Sequence, residues 1–191
     1  MTSPYHGLAD EIIYSRFLKE QDETLLAELL DRHGQSLVLF LNGMVQNMED
    51  AEELMLDSFA VIASGTVHYT VRKDSTFKTW LFAIARNKAK MLLRKRKFVF
   101  TSIDEEVLAD KNLPESEVFD KEERKELYKA LSEINKDYRQ VLYLTYFEDM
   151  KPEEIARVLN KSIKQIYNLT ARGREALKTV LLRNGFREGR Y

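Results

Sequence analysis

The chain has 191 residues, with 30 Lys and Arg against 31 Asp and Glu, 44% hydrophobic residues and no Cys. This composition excludes wholesale disorder and any site built on disulfides, thiol nucleophiles or Cys-ligated zinc. The first residues lack the layout of a signal peptide, and no apolar run approaches the roughly 20 residues of a membrane span. We therefore expect a cytoplasmic protein with no direct membrane insertion.

Hydrophobic spacing predicts five helices in the first half of the chain. They cover residues 9–19, 22–32, 36–46, 48–63 and 76–97. Gly34 is expected to break the chain between the second and third helices. Asn47 is expected to cap the fourth helix, and Ser75 the fifth, after a polar loop at 65–74.

From residue 98 to about 114 the helical periodicity fails and the segment is acidic, so residues 99–117 are predicted to form a flexible linker. Four more helices follow, at 118–134, 137–147, 152–159 and 163–182. Only seven Gly and three Pro are present, which also favours helix. The predicted fold class is all-α, with an N-terminal helical bundle at 1–98 and a C-terminal helix-turn-helix domain at 118–191.

The net charge of −1 conceals a strong segregation of charge along the chain. Residues 86–97 contain seven basic and no acidic side chains, and residues 151–183 contain eight basic and three acidic ones. Between them, residues 101–123 contain nine acidic and two basic side chains. Basic blocks indicate a polyanionic partner, and an acidic spacer is repelled from that partner. For any single block, a solvated helix face is the alternative explanation.

The last two predicted helices have the local chemistry of a helix-turn-helix unit. Pro152 suits the first position of a helix, and Asn160 tolerates a left-handed turn. Ser162 and Gln165 have the spacing of a capping box. On a helical wheel, the side predicted to face the core contains Ile163, Ile166, Thr170, Gly173, Leu177 and Val180. An ordinary amphipathic hairpin remains the alternative.

The opposite side of the last helix is basic, as is typical of a recognition helix in the major groove. Lys164 and Asn168 are expected to contact bases, and the other basic residues are expected to anchor phosphates. Tyr167 is expected either to pack or to touch the DNA backbone. The predicted DNA-contacting residues of this domain are Lys161, Lys164, Gln165, Tyr167, Asn168, Arg172 and Arg174.

A second basic stripe lies on the helix predicted over 76–97. Its members recur every three or four residues and therefore share one face. They are Phe82, Arg86, Lys90, Arg94 and Lys97, with Asn87 beside them. Such a stripe suits phosphate tracking and base stacking, including on single strands. Phe77 favours a core position, whereas Trp80 is equally compatible with core and surface.

In this order, the features resemble the bacterial sigma factors, in their small extracytoplasmic-function (ECF) branch. The segment MEDAEELMLDSFAVI resembles the polymerase-binding helix of that family, and FKTWLFAIARNKAKMLLRKRK resembles its minus-10 helix. The segment from LSEINKDYRQ to ARGREALK resembles its minus-35 domain. The resemblance covers about residues 9–182.

The resemblance implies a factor that binds core RNA polymerase and directs promoter-specific transcription initiation, without catalytic residues, metal or cofactor. The implied partners are promoter DNA, the beta-prime clamp helices and beta flap of the polymerase, and an anti-sigma factor. The implied polymerase-binding residues are Asp50, Glu53, Leu54, Asp57 and Phe59. The minus-10 residues predicted from the basic stripe and the resemblance together are Trp80, Phe82, Arg86, Asn87, Lys88, Lys90, Arg94 and Lys97. The loop at 65–74 matches a base-capturing loop, and the acidic linker a segment that threads the polymerase channel.

Several residues depart from the family pattern. Leu56 stands where a Gln is usual in the polymerase-binding helix, and Met91 stands where an Asp is common. Leu169 replaces a frequent Arg, so a phosphate contact of the family is expected to be missing. Lys164, Tyr167 and Asn168 differ from the commoner choices, so the promoter sequence is not transferable from the family. A stand-alone helix-turn-helix regulator is the alternative function. An enzyme is disfavoured, because the three His residues are scattered without ligand spacing.

Overall fold

In the computed structural model of the chain, residues 5, 7–67, 69, 76–100 and 122–185 are described, and they contain eight α-helices and no strand. The all-α prediction is confirmed. The helices are α1 (Asp10–Glu20), α2 (Glu23–Val45), α3 (Met48–Ala63), α4 (Phe77–Phe100), α5 (Glu122–Ser132), α6 (Lys136–Tyr146), α7 (Pro152–Leu159) and α8 (Ile163–Arg183). Within these ranges, no helix has the length and apolarity needed to cross a membrane.

The chain divides into two compact units, Met1–Asp110 and Lys111–Tyr191. The first unit contains α1 to α4 and the second contains α5 to α8. Because α4 continues to Phe100, the predicted linker begins two residues inside a helix. The rest of that linker, 101–117, lies outside the described residues, so the predicted domain boundaries stay predictions.

The helix α2 shows that the predicted break at Gly34 is wrong, since the helix runs unbroken from Glu23 to Val45. Gly34 is buried, and a Cβ there would lie 3.2 Å from Cδ1 of Leu30 and 3.8 Å from Sδ of Met55. The contact with Met55 is an ordinary van der Waals distance, so Gly34 is a packed position inside a helix rather than a turn. A glycine inside a helix costs about 1 kcal/mol. Burial of the side chains at 37–42, which follow in the same helix, outweighs this cost.

The core of the first unit is built from large apolar side chains of all four helices. Tyr14 of α1 is buried and its hydroxyl donates to the carbonyl of Ile62 at 3.0 Å, which ties α1 to the end of α3. Phe40 of α2 and Phe82 of α4 are both buried, with ring centroids 5.3 Å apart. These contacts fix the first half of α4 against the bundle.

The start of α4 is fixed by side chains on two elements. The predicted Ser75 cap lies outside the described residues. Instead, Thr76 Oγ1 accepts from the N–H of Thr79 at 3.1 Å, and Glu11 of α1 accepts from the N–H of Phe77 at 2.8 Å. A carboxylate at this position also complements the positive end of the helix. Thus α1 positions the helix that carries the basic stripe.

The second unit packs α8 closely against α6. A Cβ at Gly173 would lie 3.2 Å from Leu142 and 3.3 Å from the Cβ of Tyr138, so the two helix backbones approach at this glycine. Arg139 of α6 is buried and donates to the carbonyl oxygens of Leu131, Ser132 and Ile134 at 2.9, 2.6 and 3.1 Å. It thereby satisfies carbonyl groups at the end of α5 that have no partner within that helix.

Candidate nucleic-acid interface

The turn between α7 and α8 has the predicted helix-turn-helix chemistry. Asn160 adopts a left-handed conformation, with φ 46° and ψ 54°, after α7 ends. The N–H of Gln165 donates to Ser162 Oγ at 3.3 Å, and the N–H of Ser162 donates to Gln165 Oε1 at 2.8 Å. The predicted capping box is confirmed. Gln165, expected to contact DNA, therefore has its side-chain oxygen engaged in starting α8.

The outer side of α8 presents the predicted basic face. Its exposed residues include Lys164, Tyr167, Asn168, Ala171, Arg172 and Arg174. Lys161 lies in the turn and is partly buried. Its Nζ is 4.0 Å from Oδ2 of Asp137. The exposed side of α8 is therefore charged, and the major groove is wide enough to admit an α-helix.

Ile163 is a correction to the predicted core side of α8. Ile166, Gly173, Leu177 and Val180 are buried as expected, but Ile163 is 44% exposed. Ile163 is the first residue of α8. Because helix side chains tilt toward the N-terminus, its side chain extends beyond the helix, where no preceding turn of α8 covers it. An apolar side chain thus stands at the start of the outer face.

Arg174 is held in place by a residue that the sequence analysis did not single out. Its Nε donates to the hydroxyl of Tyr146 at 3.0 Å, and its guanidinium carbon lies 5.9 Å from the centre of that ring. Tyr146 is the last residue of α6 and is exposed. The contact orients the guanidinium at the edge of the outer face of α8.

The basic stripe of α4 is shorter than the sequence predicts. Phe82 is 0% exposed and Arg86 is buried, so the expectation that they share an exposed face with the later residues is wrong. The cause is the packing of the first half of α4 on α2. From Asn87 onward, Lys90, Arg94 and Lys97 are exposed. Three further exposed residues in this half of α4, Met91, Lys95 and Phe98, were not part of the predicted stripe.

Trp80 lies in a cluster of aromatic rings at the start of α4. The centroid of its ring lies 5.4 Å from the ring centroid of Tyr14, 5.3 Å from that of Tyr69 and 5.8 Å from that of Phe77. Phe77 is buried, as predicted, whereas Trp80 is half-buried. Of the predicted base-capturing loop at 65–74, only residues 65–67 and 69 are described. Burial, followed by the negative charge of Glu11, raises the pKa of Tyr69.

The helix α3 separates the residues that the resemblance assigns to polymerase binding. Glu53 and Asp57 are exposed, but Leu54 and Phe59 are buried, so the expectation of a surface contact is wrong for these two apolar residues. They face the core because they follow the buried Ala51 at helical spacing. The exposed side of α3 also contains Glu49, Glu52 and Leu56, which the predicted set does not include.

Two ion pairs connect α3 to α4. Arg96 donates from both terminal nitrogens to Asp50, at 2.6 and 2.7 Å, and the Asp50 side chain is 15% exposed. Lys88 Nζ lies 3.1 Å from Oδ2 of Asp57 on a more exposed part of the surface. Asp50 therefore joins the two helices, in addition to any contact with a partner. Among the described residues, no group of three His, Asp or Glu side chains is arranged to hold a metal ion.

Two family models match the chain. The model for sigma-70 region 2 matches residues 29–99, and the model for sigma-70 region 4 matches residues 124–177. Together they cover about two-thirds of the sequence. The first match contains most of α2 with α3 and α4, and the second contains the helix-turn-helix pair.

Similar proteins carry names that agree with these matches. The RNA polymerase sigma factor NccH of Alcaligenes xylosoxydans xylosoxydans is 29% identical over 187 residues, which is 95% of this chain and 97% of that protein. The ECF RNA polymerase sigma factor SigW of Bacillus subtilis is 24% identical, over 86% of this chain and 92% of the relative. The sigma factor RpoE of Bartonella quintana, solved with the anti-sigma factor NepR, matches with a TM-score of 0.70 and 21% identity, over 82% of this chain and 96% of the other.

Proposed function

Because this chain belongs to the sigma-70 family and is an RNA polymerase sigma factor of the ECF branch, we propose that its two units divide the promoter between them. A sigma factor is a DNA-binding initiation factor rather than an enzyme, and it acts with core RNA polymerase on promoter DNA. In this proposal the outer face of α8 binds the minus-35 element as duplex. The exposed half of α4, with Trp80, holds the minus-10 element as it opens.

The observation that supports this proposal most strongly is the exposed basic half of α4 beside the half-buried Trp80. A regulator that binds duplex DNA through α8 alone has no need of such a surface in a second unit. Exposed Lys90, Arg94 and Lys97 supply charge for phosphates, and Asn87 supplies an amide for base edges. Trp80 supplies a ring face on which a base can stack.

In the second unit, the residues of α8 have separate roles. Lys164 and Asn168 lie near the start of the recognition helix, where side chains approach base edges most closely. Arg172 lies one turn beyond Asn168 and two turns beyond Lys164, and it neutralises phosphate. Arg174 also neutralises phosphate, in the orientation set by Tyr146. Gln165 acts indirectly, since its capping contact with Ser162 fixes where α8 begins.

We assign polymerase binding to the exposed side of α3. Glu49, Glu52, Glu53 and Asp57 surround the exposed Leu56, which gives an acidic face with an apolar centre. The beta-prime clamp helices are the proposed contact of this face, and the beta flap is the proposed contact of the second unit. The acidic linker, most of which lies outside the described residues, is proposed to occupy the positively charged channel of the polymerase.

We also propose control by an anti-sigma factor. The support is the solved sigma factor from Bartonella quintana, whose partner in the crystal is an anti-sigma factor. A protein that covers α3 or the outer face of α8 would block polymerase or promoter binding directly. The proposed place of action is the cytoplasm, where core polymerase is found.

The test is transcription in vitro from genomic DNA fragments with core polymerase and the full-length chain. Discrete start sites that require both proteins are expected. If none appear and the chain alone protects duplex DNA tightly, the protein is instead a stand-alone regulator. The double variant Lys90→Ala/Arg94→Ala should lose promoter opening while retaining core binding. Lys129→Ala, which removes an exposed lysine of α5, serves as the matched control and should retain both.

A further inference from the structure

The outer face of α8 contains a row of apolar side chains as well as charges. Ile163, Tyr167 and Ala171 are spaced four residues apart and are all exposed, Ile163 at 44% and Tyr167 at 57%. Residues at this spacing lie along one side of a helix. We call these three residues the α8 ridge.

The packing of the second unit does not account for the ridge. The residues of α8 that face the core are Ile166, Gly173, Leu177 and Val180, and they are buried without it. Single exposed apolar residues are common, but a row of three on a face that otherwise bears charge is a surface suited to a partner. Exposed Lys164 and Arg172 lie along the solvent side of the row, so the partner that the charges attract is a polyanion.

We propose that the α8 ridge reads thymine methyl groups in the major groove of the upstream promoter element. The inference rests on the proposed role of α8 in binding that element. The thymine 5-methyl is the apolar group that base pairs display in the major groove, and apolar side chains recognise it by contact. A row with cations along its solvent side brings such side chains to the base edges while the charges engage phosphates.

The dimensions of the ridge limit what it reads. Eight residues of helix span about 12 Å, roughly the rise of three to four base pairs. Because the start of a recognition helix lies closest to the bases, Ile163 and Tyr167 are the reading residues and Ala171 contributes less. Burial of one methyl group corresponds to about a fourfold change in affinity.

The experiment uses holoenzyme reconstituted from core polymerase and the full-length chain. Wild-type holoenzyme first selects its upstream element from a randomised duplex library. Each thymine of the selected element is then replaced singly by deoxyuridine, which removes only the methyl group. At one or more positions, wild-type affinity should fall about fourfold.

Substitutions then connect that methyl to the ridge. Ile163→Ala or Tyr167→Ala should abolish the deoxyuridine effect at the same position, whereas Tyr167→Phe, which keeps the ring, should retain it. Leu182→Ala removes another exposed apolar residue of α8 outside the ridge and should also retain it. Circular dichroism and thermal melting identify any variant that fails to fold, and Ile163→Val then replaces Ile163→Ala with a smaller expected loss.

The outcomes separate the ridge from the role of α8 as a whole. If the wild-type holoenzyme selects no upstream element, the proposed function of α8 fails and the ridge fails with it. If an element is selected but contains no thymine sensitive to deoxyuridine, only the ridge proposal is overturned. The same conclusion follows if the sensitivity persists unchanged in both ridge variants.

Discussion

The ion pair between Asp50 and Arg96 allows a quantitative prediction of stability. The resemblance assigns Asp50 to polymerase binding, whereas the structure places it between α3 and α4. Both terminal nitrogens of Arg96 engage the carboxylate, at 2.6 and 2.7 Å. The proposed perturbation is a double-mutant cycle of Asp50→Asn, Arg96→Met and the two together. Methionine keeps much of the apolar stem of Arg96 and removes only the charged group.

The expected coupling energy follows from geometry and exposure. Exposed ion pairs contribute about 0.2–1 kcal/mol, whereas hydrogen bonds to charged groups contribute about 1.5–3 kcal/mol. The side chain of Asp50 is 15% exposed and that of Arg96 is 39% exposed, so we expect a coupling of about 1.5 kcal/mol. Asp50→Asn alone should lower the free energy of unfolding by about 0.3–1 kcal/mol beyond the coupling energy, because the carboxylate lies in the first turn of α3.

The assay is urea unfolding of the full-length chain, followed by tryptophan fluorescence. Trp80 is the only tryptophan in the sequence and lies in the first unit, so its signal reports that unit. The exposed pair Arg16–Glu20 within α1 is the control cycle, and its coupling energy is expected to be smaller because water screens both charges. A coupling for Asp50 and Arg96 no larger than that of the control would refute the reasoning.

Three further predictions concern the core, acid stability and the recognition helix. Phe82→Ala should destabilise the first unit by about 3–5 kcal/mol, because its ring is buried. Burial raises the pKa of Asp10, but hydrogen bonds and charges from His33 and Arg32 outweigh this and hold the pKa below its ordinary 3.8. The stability due to Asp10 is therefore present above that value and lost as pH falls through the lower pKa of the folded state, so Asp10→Asn should flatten the loss of unfolding free energy as pH falls below 3.8. Arg172→Ala should weaken promoter binding about uniformly and reduce the salt slope by about one, whereas Lys164→Ala should lose about 1–3 kcal/mol of discrimination at one base pair.

Each of these predictions has its own contrary result. Phe98→Ala, at an exposed position of the same helix, should change stability by less than about 0.5 kcal/mol, and an equal loss from both phenylalanines would contradict the assignment of Phe82 to the core. An unchanged acid limb in Asp10→Asn would show that the carboxylate is not stabilised by its partners. Equal effects of Arg172→Ala and Lys164→Ala on all promoter sequences would remove the distinction between phosphate and base contacts.

Sequence reasoning succeeded where local chemistry decides the structure. The capping box of Ser162 and Gln165 depends on residues three positions apart, and it forms as predicted. The cap that Asn47 provides for α3 also depends on neighbouring residues alone. The same is true of Pro152 at the first position of α7. The family matches over both units also agree with the resemblance inferred from the order of motifs.

The errors arise where contacts between distant elements decide the outcome. Gly34 lies inside a continuous helix that packs on α3, within contact range of Met55, and a helical wheel contains no information about α3. Phe82 and Arg86 fall on the basic stripe by spacing, yet the packing of α4 on α2 buries them. Arg174 depends on Tyr146, which lies 28 residues earlier in the chain and in another helix. Periodicity within one segment cannot reveal such partners.

The central claim is that this chain opens promoter DNA as a subunit of RNA polymerase and not as an independent DNA-binding protein. Permanganate reactivity of unpaired thymines tests it most directly, on one selected promoter with core polymerase alone, the chain alone, and both together. Reactive thymines are expected in the minus-10 region only when both are present, and they should be lost in the Lys90→Ala/Arg94→Ala variant. Tight duplex binding by the chain alone, with no reactive thymines under any condition, would contradict it.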